Sequence, residues 1–155
     1  LIKIPKIYLI IFEYVFHGVP WFIISFGCFL FGNKIVSYRS LTFIKGLIID
    51  LITVGLLKYF TRRQRPSLNS EKEMVIGTNI GPDKFSFPSG HSSRAVLISC
   101  LLIDIIRQYF STQKLYSIAS IAFFVFLAIG TCLSRILLLR HYLSDVLAVF
   151  FFQIK

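Results

Sequence analysis

The chain predicts an all-α integral membrane protein, a bundle of about five to six transmembrane helices, and three observations carry that prediction. Of its 155 residues, 55% are hydrophobic and 16% aromatic, with a mean hydropathy of +0.75, far above a soluble domain. The apolar residues gather in runs near the ~20 residues that a helix needs to cross the hydrocarbon layer. The 17 Lys and Arg, set against 7 Asp and Glu for a net charge of +10, fall mostly between those runs and at their ends.

Residues 1–155 are expected to form a single membrane domain, within which 61–91 is a motif-bearing loop. The first residue is Leu1 and not Met, so an N-terminal region is expected to be missing. Ile7 to Phe16 is apolar apart from Glu13, and His17, Gly18 and Pro20 interrupt the run before Trp21 to Phe31 resumes it. This reads either as an interfacial helix leading into a short span or as one span with a kink. Trp21 suits a membrane interface. Gly32 to Ser40 reads as a loop and Leu41 to Phe60 as the second span. Lys45 and Asp50 inside that span are expected to face the bundle and pair with each other.

Thr61 to Phe87 has no apolar period and carries Arg62, Arg63, Arg65, Lys72 and Lys84. A polar loop of this length is usually functional or disordered, and its place between motifs favours function. A third span runs from Ser92 to Phe110, a fourth from Leu115 to Cys132, and His141 to Ile154 begins a fifth. Cys28, Cys100 and Cys132 all lie in apolar runs, so they read as small core hydrophobes with no disulfide framework or metal-ligand spacing. The basic excess points to anionic lipid surfaces or a phosphorylated substrate. Nucleic acid is excluded as a partner class, because the aromatic residues sit in the apolar runs and not on a basic platform.

If each span crosses once, the N-terminus, the 61–91 loop and the 133–141 turn share one membrane face. That face holds eleven Lys and Arg against five opposite, which makes it cytosolic by the positive-inside rule. Every candidate site residue falls on it.

Three motifs carry the chemistry. In the first, Arg135, His141 and Asp145 stand in a row. On a helix beginning at His141, Asp145 shares its face and can fix the imidazole tautomer, leaving the other nitrogen free. A histidine oriented by a carboxylate beside a cation suits attack on phosphorus, although a capped surface histidine has the same pattern. In the second, Lys58 and Arg65 lie nearly two helical turns apart, so a helix reaching Pro66 would aim both at one phosphate. Arg62 and Arg63 read instead as a cluster for lipid headgroups. In the third, Phe87-Pro88-Ser89-Gly90-His91 opens a helix. Free amides, the Ser89 hydroxyl and the close backbone approach at Gly90 suit an anion, and His91 could protonate a departing oxygen. The alternative there is a plain helix cap with an interfacial histidine.

Together, Lys-x6-Arg-Pro, Pro-Ser-Gly-His and Ser-Arg-x5-His-x3-Asp in this order resemble the type 2 phosphatidic acid phosphatase superfamily, which includes lipid phosphatases, glucose-6-phosphatase and vanadium haloperoxidases. The resemblance implies that His141 is the nucleophile of a phosphohistidine, that Asp145 orients it and that His91 protonates the leaving group. It also implies that Lys58, Arg65, Ser89, Gly90 and Arg135 hold the phosphate, with no metal and no cofactor. The His17-Gly18-Val19-Pro20-Trp21 run, the direct Arg-Pro continuation and Arg94-Ala95 after the histidine resemble the branch of polyisoprenoid diphosphate phosphatases, including presqualene diphosphate phosphatase. That branch implies isoprenoid diphosphates or monophosphates as substrates, and an endoplasmic reticulum or nuclear envelope membrane. A glycerolipid or sphingolipid phosphatase is the alternative within the family, and a catalytically silent membrane scaffold is the alternative outside it.

Arg94 lies about one turn after His91, so it either contacts the second phosphate of a diphosphate or pairs with a loop acid such as Asp83 or Glu73. His17, beside Gly18 and Pro20, reads as structural.

Overall fold

The structure is a computed structural model that describes residues 5–67, 84–110 and 113–153. Among these residues there are six helices and no strand: α1 Lys6–Val15, α2 Gly18–Phe31, α3 Lys34–Thr61, α4 Gly90–Tyr109, α5 Lys114–Leu137 and α6 Leu143–Gln153. Lys72, Glu73 and Asp83, which figure in the sequence reading, lie outside the described residues.

The interrupted first run is two abutting helices, with the break at Phe16 and His17. Ending α1 frees its last carbonyls, and the Trp21 indole N–H donates to one of them, Val15 O, at 2.7 Å. Pro20 falls in the first turn of α2, where its missing N–H costs nothing.

Three stretches are long and apolar enough to cross a membrane: Lys6–Phe31, Lys34–Thr61 and Lys114–Leu137. The stretches expected as the third and fifth spans correspond to α4 and α6. The described part of α6 is 11 residues. Helix α4 has 20 residues, carries Arg94, Asp104 and Arg107 among its apolar ones, and lies at the centre of the bundle, packed on α3, α5 and α6. Its Ser92, Ser93 and Ser99 are all buried. Ala95 and Ile98 of α4 meet Phe16, Phe43, Leu47 and Ala128 on one side. Val96 meets Cys132, Val146 and Val149 on the other. Large residues such as Phe31, Ile49, Phe60 and Phe126 stay exposed, as expected where lipid replaces water.

The loop expected at Gly32 to Ser40 is helix from Lys34 onward. Asn33 caps α3 by accepting from the Ile35 and Val36 amides, a start signal outweighed in the sequence by the charges that follow. One of those charges, Arg39, pairs with Asp104 of α4 at 3.2 Å. The expected Lys45–Asp50 pair does not form. Lys45 is exposed and Asp50 is 3% exposed on another face, since five residues turn a helix by well over a right angle. Asp50 instead accepts from Ser93 Oγ, from Arg94 Nε at 3.3 Å and from Gln153 Nε2 at 2.9 Å, which ties α3, α4 and α6 together. Of the cysteines only Cys132 is a core residue; Cys28 and Cys100 are exposed.

Helix α1 lies against α5. A side chain at Gly130 would meet the Phe12 ring at 2.5 Å, so the glycine permits the approach, and Thr131 Oγ1 donates to Phe12 O at 3.3 Å. The next residue of α1, Glu13, is thereby carried into the bundle.

Candidate active site

His141 sits between α5 and α6, and the backbone of the Ser-Arg-x5-His motif fixes it there. The Arg135 carbonyl accepts from the Arg140 amide at 3.1 Å and from the His141 amide at 3.2 Å. Leu139 takes a left-handed φ of 54° to make that reversal. One residue's carbonyl thus positions His141 while its own guanidinium acts on the ring electrostatically.

The ring of His141 is 3% exposed. Its Nδ1 lies 2.7 Å from the carbonyl oxygen of Ser86. A carbonyl can only accept, so this contact places the proton on Nδ1 and leaves the lone pair on Nε2. Asp145 was expected to perform this task from a helix beginning at His141. Helix α6 begins two residues later, at Leu143, and Asp145 Oδ2 stands 3.7 Å from Nδ1. That distance exceeds a hydrogen bond but suits charge stabilisation of an imidazolium. Asp145 is held in place by the Tyr142 amide at 2.9 Å and by Arg63 Nη1 at 2.7 Å.

Arg63 is therefore a site residue, and its reading as a lipid-headgroup cation is corrected. It also donates to Ser144 Oγ at 2.7 Å and lies 4.2 Å above the Tyr142 ring. Its carbonyl takes the Ser86 amide at 2.8 Å. The chain after α3 is thereby stitched to the chain before α4, and Ser86 O is aimed at His141.

Lys58 and Arg65 do not share a helix face, because α3 ends at Thr61 and Arg62 turns left-handed with φ 47°. Both nevertheless come close enough to act electrostatically on His141, as does Arg135. Lys58 is 4% exposed and Arg135 1% exposed. Burial first, and then these cations, push the pKa of His141 down to about 4, with Asp145 acting in the opposite direction. The ring is neutral at pH 7, with a lone pair on one nitrogen. The acid limb that His141 itself imposes on free-enzyme kcat/KM, corrected for the substrate's own titration, should appear only as pH passes about 4. An acid limb at the ordinary histidine value of 6.5 would contradict this environment. The sign for stability follows. The unfolded chain takes up this proton near 6.5 and the folded chain near 4, so acidification through that window favours unfolding.

Ser89 caps α4, accepting from the Ser92 amide at 3.4 Å and sharing a hydrogen bond with Ser92 Oγ at 2.9 Å. Its amide donates to Asp145 O at 3.1 Å, which joins the second motif to the third. The hydroxyl expected on a phosphate is thus engaged in the cap. A side chain at Gly90 would meet only ordinary contacts of 3.5 and 3.6 Å, so nothing in the protein packing demands glycine there. His91 follows in the first turn. Arg94 remains near His91, but its Nε is committed to Asp50.

One site residue went unread in the sequence. Glu13, 2% exposed, pairs with Arg140 at 2.5 Å and Arg135 at 3.1 Å, and lies 3.6 Å from His91 Nε2. Its only signal was a lone carboxylate in an apolar run. Even so, Arg135 Nε and Nη1 and His91 Nε2 are buried without a hydrogen-bond acceptor among the described residues. The 3.1 Å contact of Nη1 with Glu13 is an ion pair and not an aligned hydrogen bond. Each unmet buried donor of the Arg135 guanidinium costs about 1–3 kcal/mol, which the oxygens of a bound anion would recover. Among the described residues no three His, Cys, Asp or Glu side chains group as a metal site.

Comparison with known proteins places the chain in a family. A curated relative from Arabidopsis thaliana, named a probable lipid phosphate phosphatase beta, is 33% identical over 123 residues, 68% of this chain and 56% of the relative. The chain thus spans just over half the length of that protein. The crystal structure of a transmembrane PAP2 type phosphatidylglycerolphosphate phosphatase from Bacillus subtilis superposes with a TM-score of 0.75, at 21% identity, over 96% of this chain and 72% of that one. It shares the fold of an integral membrane helical bundle. The PAP2 superfamily model matches residues 39–152, a span that runs through all three motifs, and the chain belongs to the PAP2 superfamily.

Proposed function

We propose that this protein is a membrane lipid phosphatase that releases phosphate through a phosphohistidine at His141, without a metal. The observation that carries the reading is Arg135: a fully buried guanidinium with two unmet donors, whose own carbonyl anchors a neutral histidine with a free Nε2. In the first step the Nε2 lone pair bonds to phosphorus while the bond from phosphorus to the lipid oxygen breaks. The electron pair stays on that oxygen and His91 supplies its proton. Arg135, Lys58 and Arg65, with the amides at the start of α4, hold the three equatorial oxygens. Asp145 stabilises the positive charge that His141 acquires. Water then attacks phosphorus, and His141 departs with inorganic phosphate released.

The substrate class is a long-chain polyisoprenoid diphosphate or monophosphate, met at a cytosol-facing site in the endoplasmic reticulum or nuclear envelope, with Arg94 turning from Asp50 to a second phosphate. The names of the two relatives favour a second reading, a glycerolipid phosphate, for which the same site serves equally. Purified protein with EDTA should release phosphate from farnesyl diphosphate faster than from farnesyl monophosphate or phosphatidate, and Arg94→Ala should cost more on the diphosphate. Faster release from phosphatidate would move the substrate to the glycerolipid class. No release from any of the three by folded protein would overturn the phosphatase reading.

A further inference from the structure

The geometry points to Glu13 as the positioning residue of the general acid: its carboxylate receives His91 Nε2–H and so aims Nδ1–H at the leaving oxygen. This rests on the phosphohistidine reading above. The two oxygens of Glu13 are used differently. Oε2 takes both arginines, Arg140 and Arg135. Oε1 has no hydrogen-bond partner and stands 3.6 Å from His91 Nε2, which has none either. Two buried, unmet and complementary atoms thus face each other, less than 1 Å beyond hydrogen-bond length, and catalytic hydrogen bonds often tighten only when substrate binds.

The electrostatics require such a partner. Among the described residues His91 has Arg94 on its own helix, Arg135 on α5, His141 beyond α5 and His17 ahead of α2 as its charged or titratable neighbours, and Glu13 as the carboxylate within 4 Å of it. Burial first, and then the cations around it, make His91 give up its proton too readily, and a carboxylate at 3.6 Å favours the imidazolium. It also selects the nitrogen. With Nε2 directed at Glu13, Nδ1 is the one left to hand a proton to the oxygen as the phosphorus–oxygen bond breaks. When His91 later takes a proton from the attacking water, the same contact restores the charged pair. The residue comes from α1, which precedes the matched family region at 39–152, and Gly130 is what lets α1 approach closely enough to deliver it.

Leaving-group dependence tests the assignment, because a merely structural ion pair does not sense the acidity of the departing alcohol. Glu13→Gln should lower kcat/KM on an alkyl lipid monophosphate by about 10²-fold and on p-nitrophenyl phosphate, whose leaving group needs no proton, by less than about 5-fold. Glu13→Asp keeps the charge beside Arg135 and Arg140 and shortens the reach to His91. It should therefore fold and show the same selective loss. In a His91→Gln background, Glu13→Gln should cost almost nothing more, since the two act as one unit. Equal losses on both substrates in the Glu13 variants, or additive losses in the double variant, overturn the assignment while His91→Gln remains selective. If His91→Gln itself loses both substrates equally, the general-acid reading fails and the Glu13 assignment with it.

Discussion

His141→Ala abolishes turnover, with kcat lowered by a factor on the order of 10⁴ or more in protein that still folds. The reason is chemical. Without Nε2 no covalent intermediate can form, and water alone must attack a phosphate whose charge the cations merely hold. Removing the ring leaves the Ser86 carbonyl without its donor, which costs about 1–3 kcal/mol, too little to unfold a bundle tied by the Asp50 network and two apolar clusters. Circular dichroism and size-exclusion behaviour like those of the wild type, together with lost phosphate release, are the expected pair of results. Turnover that survived in His141→Ala would remove the nucleophile from the account.

Arg135→Lys gives the second large effect and separates geometry from charge. A lysine keeps the cation next to Glu13, so the buried carboxylate stays compensated and the bundle survives. It cannot present Nε and Nη1 as a planar fork. Loss of one such transition-state donor costs about 10²–10³ in kcat, with substrate affinity changed less. Arg135→Ala should do more, because it also removes one of the two arginines that balance Glu13. Breaking a buried pair costs about 3–5 kcal/mol, and thermal unfolding should register that drop while Arg135→Lys stays close to the wild type. Equal activity in the lysine variant would mean that Arg135 supplies only charge.

The motifs were legible because phosphate chemistry calls for particular side chains, and side chains are what a sequence spells. The structure brings His141, Asp145, Arg135, Lys58, Arg65 and His91 near one another. What supports them was much less legible. The acceptor that sets the His141 tautomer is the Ser86 main-chain carbonyl, and a carbonyl has no letter of its own. Arg63 looked like a headgroup cation because it sits in a basic run, and only the turn after α3 directs it to Asp145, 82 positions away. Glu13 reaches Arg140 across 127 positions, through a helix approach that depends on one glycine. The Lys45–Asp50 expectation failed for a related reason. Inside a bundle a carboxylate takes the best-placed donors in space, here Ser93, Arg94 and Gln153, over a charged neighbour along its own helix. The start of α3 was hidden because a charged stretch reads as a loop until Asn33 is recognised as a cap.

Mapping the covalent intermediate tests the central claim most directly. Protein mixed with ³²P-labelled lipid phosphate, quenched within milliseconds into alkali to preserve phosphohistidine and then digested, should carry the label on Nε2 of His141 and nowhere else. The label should be absent from His141→Ala and should accumulate in His91 variants given an activated leaving group. A phosphoryl group on another side chain, or steady product release with no labelled protein at any time, would contradict the account.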